Sequence, residues 1–525
     1  MFSVFAILRA GPALKLTRTG GSVPPHRRGR VLLYDAAIIG AGVEGLTAAV
    51  LLARAGLRVC IVERGERAGG RCLAREFHPG YRASPFADQI RAIPPALYWE
   101  LDLARHGAIF APDRHALAVS GGRRSVLPLT DDALFESAAL VRRAEAGRMA
   151  ILARLERDAV RRRLWLQLWP DWLAPARGGT PSPVAEWAGA SLADLLRGVS
   201  PETAAHLAAI ALEGRTADPF LAGSALHLLA LGASAGRLAG GPGRLCTALV
   251  SAAREAGAAF MLGVEATDIL TRSDRVTGLG LADGREVAVR HLISTLDVKR
   301  TFLTHFSWGA LPRAVMRDVH NFRVSGMTAR VLFALAGGLD FAMACSGAIH
   351  IDPSCEALRA AHEAWREGVV ADELPVSLRL ISAGEPGLAP PSGAVVTATL
   401  GAVPSRLFDG AWTHEKRELL RRRALAAAES VWPGFGAHVA GCEVVAPPDI
   451  EKALGATDGD LDGGELAGDQ MLDCGPWHAP SLPRTPVRGL YLAGSFLAAG
   501  VAGSGVAGAM AARAVLADRR GIGPR

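Results

Sequence analysis

A chain of 525 residues, 50% hydrophobic and only 21% charged, has enough apolar material for a large core, which excludes a disordered protein or a single small domain. The net charge of +7 falls to +1 once the six cationic residues ahead of Asp35 are set aside, so the body lacks the basic surplus that nucleic-acid binding needs. Seven cysteines, an odd number without a CxxC pair, argue against both a disulfide framework and a sequence-adjacent redox pair.

Residues 1–30 are basic, free of acidic residues and rich in Pro and Gly. They read as a disordered or basic extension, with a transit peptide as the alternative, ahead of a fold that begins at Val31. The expected location is cytoplasmic, with membrane association as a variant, or the mitochondrial matrix if the extension is a transit peptide.

Ala36 to Ile39 form the short apolar run of a strand buried on both faces, and Gly40, Gly42 and Gly45 follow it in GxGxxG spacing. In such a motif Gly40 permits the tight turn, Gly42 lets the backbone approach a pyrophosphate, and Gly45 brings the next helix close to the strand. The free amides and dipole at the start of that helix attract the anion. Gly56 closes the helix, Leu57 to Val62 supply a second strand, and Glu63 follows as an acceptor for ribose hydroxyls, 18 residues after Gly45. Strand, turn, helix and acid together predict a dinucleotide-binding α/β unit without deciding between NAD and FAD.

Beyond Glu63 the chain continues as RxxxxGGR, with Arg64, Gly69, Gly70 and Arg71. This resembles the segment along the diphosphate in flavin amine oxidases and phytoene desaturase-like oxidoreductases. PGYR at 79–82, ELDLARHG at 100–107 and STLDVKRTFL at 294–303 are similar to the phytoene desaturase-like branch that includes the pyridine nucleotide-disulfide oxidoreductase domain-containing protein 2 group. The resemblance implies FAD as cofactor. It also implies a Rossmann-like FAD-binding domain of the flavin amine oxidase/phytoene desaturase type with an interwoven α+β substrate domain. Cofactor contacts would fall at Gly40, Gly42, Gly45, Glu63, Arg64, Gly70 and Arg71, and Val264 stands where related flavoproteins hold the adenine through backbone contacts.

In chain order, residues 31–130 and 240–305 read as the first and middle parts of the FAD-binding domain. A mainly helical substrate region at 131–239 lies between them, and a substrate domain of sheet and helices follows at 306–483. Hairpins are expected at Ser120 to Thr130 and at Arg275 to Val289, the latter turning at Asp283 and Gly284. β-rich segments at Phe322–Leu335, Val376–Ile381 and Val395–Leu400 precede a helix from about Glu415 to Val431. No HExxH, Ser-His-Asp signature or metal-ligand cluster stands out, so no metal is expected and no catalytic residue is assigned.

Residues 484–525 complete the FAD-binding domain. The uncharged run between Arg488 and Arg513 is long enough for a transmembrane helix, but its glycines break it into a buried strand, a turn and a buried helix. By the same resemblance, Gly489 to Gly494 form the last strand, with Gly494 among the cofactor contacts, Ser495 comes near the ribityl chain, and a helix starting around Gly500 and Val501 points its amides at the flavin. The chain departs from the family at Ala498 to Ala502, where family members carry His-Pro followed by three glycines.

The implied function is FAD-dependent removal of hydride from an apolar small-molecule substrate, carotenoid- or lipid-like. Without a second nucleotide domain, oxygen or a quinone is the expected electron acceptor. No nucleic-acid partner is expected, and peripheral membrane contact stays open. A flavin amine oxidase, and a flavin-free lipid-binding or escort protein of the same fold, are the alternatives.

Overall fold

The short alanine- and isoleucine-rich run ahead of the first glycine turn becomes the middle strand of a five-stranded parallel sheet. The structure, a computed structural model, describes residues 31–90, 93–112, 115–120, 123–128, 133–160, 186–232, 236–307, 309–337, 348–351, 354–383, 385, 387–467, 470, 483–498 and 504–521. The extension at 1–30 lies outside them, as do Gly500 and Val501.

The sheet and its helices comprise β1 (Ala36–Ile39), α1 (Val43–Arg54), β2 (Val59–Glu63), α2 (Pro242–Glu255), β3 (Ala259–Leu262), β4 (His291–Ser294), β5 (Leu490–Leu492) and α3 (Val506–Arg519). Strand order is β3-β2-β1-β4-β5, every pair parallel. This is the doubly wound order, which leaves a crevice beyond the carboxyl ends of the strands where the order reverses. Three segments far apart in the chain therefore meet in one sheet.

Both faces of the sheet are buried, as parallel sheets require. Ala36, Ile38 and Ile61 pack against α1, α2 and α3 through Leu46, Leu249 and Met510. Ala37, Ile39, Val62 and Leu292 pack on the other face against Ile269, Leu279 and Phe302. The expected hairpin at 275–289 is present as the strands Arg275–Leu281 and Glu286–Ala288, in a four-stranded sheet that also takes Val31–Leu33.

The second domain is built on a seven-stranded sheet in the order 439–445, 329–335, 394–400, 376–380, 349–351, 115–120, 123–128. All pairs are antiparallel except 349–351 with 115–120. The hairpin expected at 120–130 runs from 115 to 128 and joins this sheet, although it falls inside the stretch read as part of the cofactor domain. A hairpin's own alternation specifies a turn but not which sheet edge receives it. Alternation splits the sheet into two faces. Val331, Phe333, Leu378, Val396 and Ala398 pack against the helix His414–Val431. Arg330, Thr399 and Arg379 face the first domain and line the cavity described below. Among the described residues no helix is long and apolar enough to cross a membrane, and the uncharged run near the C-terminus resolves into β5 and α3.

Helices α1 and α3 cross so closely that a Cβ on Gly508 would lie 2.0 Å from the carbonyl oxygen of Glu44. We therefore expect Gly508→Ala to force the helices apart and to destabilise the protein by about 1–3 kcal/mol, the usual cost of overpacking. Chemical denaturation followed by far-ultraviolet circular dichroism measures it.

Candidate functional site

The crevice at the strand ends opens into a cavity of about 1520 Å³ that reaches from the glycine turn after β1 to the polar face of the seven-stranded sheet. Its nucleotide end has the shape a diphosphate needs. Gly40 sits at φ +97°, and a Cβ there would overlap Thr295 Oγ1 at 2.1 Å. A Cβ on Gly45 would come within 2.0 Å of Gly40 O, so the strand-to-helix turn closes only with glycine at both places. Around Gly42 there is open space instead, which leaves the α1 amides accessible to a ligand. Gly70, at φ +51°, brings the second glycine turn so close that a Cβ on it would lie 3.1 Å from Gly42 Cα; the two turns form one cradle.

Glu63 lines the cavity at the end of β2. Its Oε2 accepts from Ala41 N at 2.9 Å and its Oε1 from Gly65 N at 2.8 Å, which aims the carboxylate across the turn. Arg64 and Arg71 also line the cavity, but their guanidinium groups clamp distant chain: Arg64 donates to Lys452 O at 3.4 Å and to Ala453 O, and Arg71 donates to Leu461 O. Val264 is not among the lining residues; its N–H donates to Glu63 O at 3.1 Å, and the neighbouring Glu265 and Ala266 line the cavity instead. Gly494 and Ser495 close the cavity from β5, with Ser495 Oγ donating to Asp462 O at 3.0 Å and Leu461 O at 3.3 Å. The structure thus brings Gly40, Gly42, Glu63, Arg64, Gly70, Arg71, Gly494 and Ser495 to one cavity, with Gly45 packed directly behind. The open space at Gly42, the paired turns and the oriented carboxylate fit a dinucleotide.

Sequence reasoning missed Glu44, the second residue after Gly42. Its carboxylate is buried between α1 and α3 and accepts Gly505 N and Gly508 N, each at 2.8 Å. Burial pushes its carboxyl up, against the pull of those two amides. An acidic residue inside GxGxxG followed by a distant Gly-x-x-Gly was the available signal.

The charged residues on the cavity floor were also missed, because no local motif marks them. Asp88 pairs with Arg330 at 2.6 Å and accepts from Thr397 Oγ1 at 2.9 Å, and Arg379 pairs with Glu213 at 3.0 Å. Burial would raise the Asp88 carboxyl, but the Arg330 and Arg379 charges hold it at about 2. His206 and His350 stack edge to face with centroids 5.5 Å apart. Burial lowers each to about 3, helped by mutual repulsion at His206 and by Arg379 at His350, so both rings are neutral at physiological pH. Arg215 pairs with Asp462 at 2.6 Å. Burial, with the charge of Asp462 beside it, lifts Asp460 to about 7.

Two cysteines that are far apart in sequence meet here. Cys246 Sγ on α2 donates to Gly69 O at 3.3 Å and engages the thiol of Cys72, which lines the cavity. Among the described residues no group of three metal-ligating side chains forms.

Residues 35–304 match the family described as FAD dependent oxidoreductase. Over 587 residues the chain is 26% identical to pyridine nucleotide-disulfide oxidoreductase domain-containing protein 2 of Rattus norvegicus, covering 97% of each. It is 32% identical over 162 residues to a limonene dehydrogenase component of Castellaniella defragrans, covering 30% of this chain and 27% of that one. Among solved structures, cyclohexylamine oxidase of Brevibacterium oxydans superposes with a TM-score of 0.55 at 18% identity, over 93% of this chain and 99% of that one.

Replacing Glu63 by Ala strips Ala41 N and Gly65 N of their acceptor and removes the carboxylate expected to accept from ribose hydroxyls. We expect FAD affinity to fall about ten- to hundredfold, or roughly 1.5–3 kcal/mol, measured by flavin fluorescence quenching on the apoprotein.

Proposed function

The chain belongs to the FAD-dependent oxidoreductase family and uses FAD, and on that premise we propose that it dehydrogenates an apolar substrate by removing hydride, passing the electrons to oxygen or a quinone. FAD supplies a two-electron acceptor for that hydride. The carrying observation is the make-up of the cavity: one space joins the dinucleotide cradle to an apolar entrance with the exposed Trp99 and Ile109 at its rim and the buried Ile90 and Ile93, with Tyr98, on its wall.

The entrance is built to hold an apolar body. Tyr98 donates its hydroxyl to Ala108 O at 2.7 Å, which occupies the polar end of the ring and leaves its face for packing. Trp99 and Ile109 are among the most exposed large apolar side chains described, at 69% and 61%. Exposed apolar groups at a cavity mouth favour entry of a water-averse molecule and suit contact with a lipid surface. Similarity to a limonene dehydrogenase component supports the same substrate class.

The amine oxidase reading draws on the fold shared with cyclohexylamine oxidase. An ammonium head needs an uncompensated carboxylate or an aromatic cage; Asp88 and Glu213 are each matched by an arginine, and Asp460, without an ion pair among the described residues, lies within reach of the Arg215 charge. The escort-protein reading leaves the oriented Glu63 and the paired glycine turns without purpose.

Purified protein is expected to show flavin absorbance near about 450 nm, which bleaches anaerobically with monoterpene, polyene or acyl-lipid substrates and not with primary amines. Bleaching by amines alone reverses the choice between the two oxidoreductase readings. Protein that stays colourless after incubation with FAD overturns both.

A further inference from the structure

Of the cavity-lining side chains with buried polar atoms that lack a hydrogen-bond partner among the described residues, Arg215 and Asp460 offer donors and an acceptor of opposite charge. Arg215 follows the helix Pro201–Ala211 and is 3% exposed. Its Nε donates to Asp462 Oδ2 at 2.6 Å, while Nη1 and Nη2 have no hydrogen-bond partner among the described residues. Asp460 is 4% exposed; its Oδ1 accepts from Asp462 N at 2.8 Å, and its Oδ2 has no partner among the described residues. Both residues line the cavity.

Their positions are held from both halves of the cofactor site. Ser495 and Arg71 donate to the carbonyls of Leu461 and Asp462, tying the 460–462 loop to β5 and to the second glycine turn. Arg215 is locked from below, where a Cβ on Gly401 would meet its carbonyl oxygen at 2.5 Å. The two-donor fork of Arg215 and an acceptor oxygen of Asp460, without partners among the described residues, therefore line the cavity that holds the dinucleotide cradle, close enough that the Asp460 charge acts on Arg215.

Charge decides what completes the fork. Arg215 is already paired with Asp462, Arg330 with Asp88 and Arg379 with Glu213. A carboxylate finds donors there but no spare positive charge and meets the like charge of Asp460, and an ammonium that reaches Asp460 meets the Arg215 guanidinium, which offers only donors. An uncharged oxygen satisfies the two N–H groups without adding a charge, and a buried donor left unmet is unfavourable.

On the dehydrogenase reading above, we propose that the substrate is an apolar molecule bearing an uncharged carbonyl, that the Arg215 fork receives the carbonyl oxygen, and that Asp460 takes the proton from the adjacent carbon, making the reaction an α,β-desaturation. The α C–H bond breaks, its electron pair enters the forming C=C bond, and the proton bonds to Asp460 Oδ2. The β C–H bond breaks with its pair as hydride, which passes to FAD; the substrate loses two electrons and the flavin gains them. Negative charge that builds on the carbonyl oxygen as the proton leaves is met by the two Nη donors, the service an oxyanion hole performs. Burial and Asp462 place Asp460 at about 7, suited to a general base near neutrality. The groups that bear on its titration are Asp462 on its own loop, Asp297 at the start of the helix Val298–Thr304, and Arg215.

The test uses FAD-loaded full-length protein with four probes of equal chain length: a methyl ketone, a carboxylate, a primary amine and an alkane. Perturbation of the flavin spectrum should show the ketone binding about tenfold or more tightly than the others, and Arg215→Met should remove that advantage while leaving the alkane unchanged. In deuterated water the reduced holoenzyme, which has no capacity for hydride, should exchange the ketone's α-hydrogens. Asp460→Asn should slow that exchange by about a hundredfold while ketone affinity stays within about twofold. Equal binding of all four probes, or exchange that Asp460→Asn leaves intact, overturns the inference, and both wild-type readouts stand even if a variant fails to fold. Bleaching by alkane as fast as by ketone overturns it while sparing the dehydrogenase reading. Ketone binding and exchange without bleaching by any probe support the carbonyl site and defeat the dehydrogenase reading.

Discussion

The fold turns on the close approach of two helix N-termini, α1 and α3, which are more than four hundred and fifty residues apart in the chain. Glu44, in the first turn of the helix that begins the dinucleotide site, accepts two amides from the start of α3. Burying a carboxylate costs several kcal/mol unless its oxygens are satisfied, and here each has a 2.8 Å amide. Gly508 is required by the same contact, since nothing larger fits against the Glu44 backbone. The first and last segments of the cofactor domain are thereby held in register across the sheet, and the cradle at Gly42 and Gly70 inherits its position from them.

The second domain contributes by being two-faced. A seven-stranded sheet with a helix on one side needs an apolar face there, and strand alternation then assigns everything else to the opposite face. That opposite face meets the cofactor domain, so Arg330, Arg379 and Thr399 are carried into a place where an isolated charge is strongly unfavourable. They persist because Asp88 and Glu213 arrive from other elements to pair with the two arginines. The result is a cavity with an apolar entrance, a nucleotide cradle at one end and a floor on which Arg330 and Arg379 are paired and Arg215 and Asp460 carry polar atoms without partners among the described residues.

Local pattern carried much of this. The βαβ unit, Glu63, the RxxxxGGR continuation and the split of the uncharged C-terminal run all depend on neighbours within about thirty residues, which is the range over which glycine conformation and hydrophobic period speak. The assignment of Arg64 and Arg71 to the cofactor segment was legible too, but not that both arginines clamp the carbonyls of residues 452–453 and 461. Nor was the meeting of Cys72 with Cys246, because spacing in the chain says nothing about two residues joined only by the packing of α2 under the second glycine turn.

By itself, then, the amino-acid sequence determined that this protein has a dinucleotide-binding α/β unit completed from its far end, since each part is a short-range consequence of glycine freedom, strand burial and helix capping. Tertiary structure alone decided which charges face the cavity, which of them are neutralised, and that Arg215 and Asp460 have donors and an acceptor without partners among the described residues. The reason is physical: a side chain's protonation and spare hydrogen bonds depend on burial and on partners from other segments, and those exist only once the chain has closed on itself.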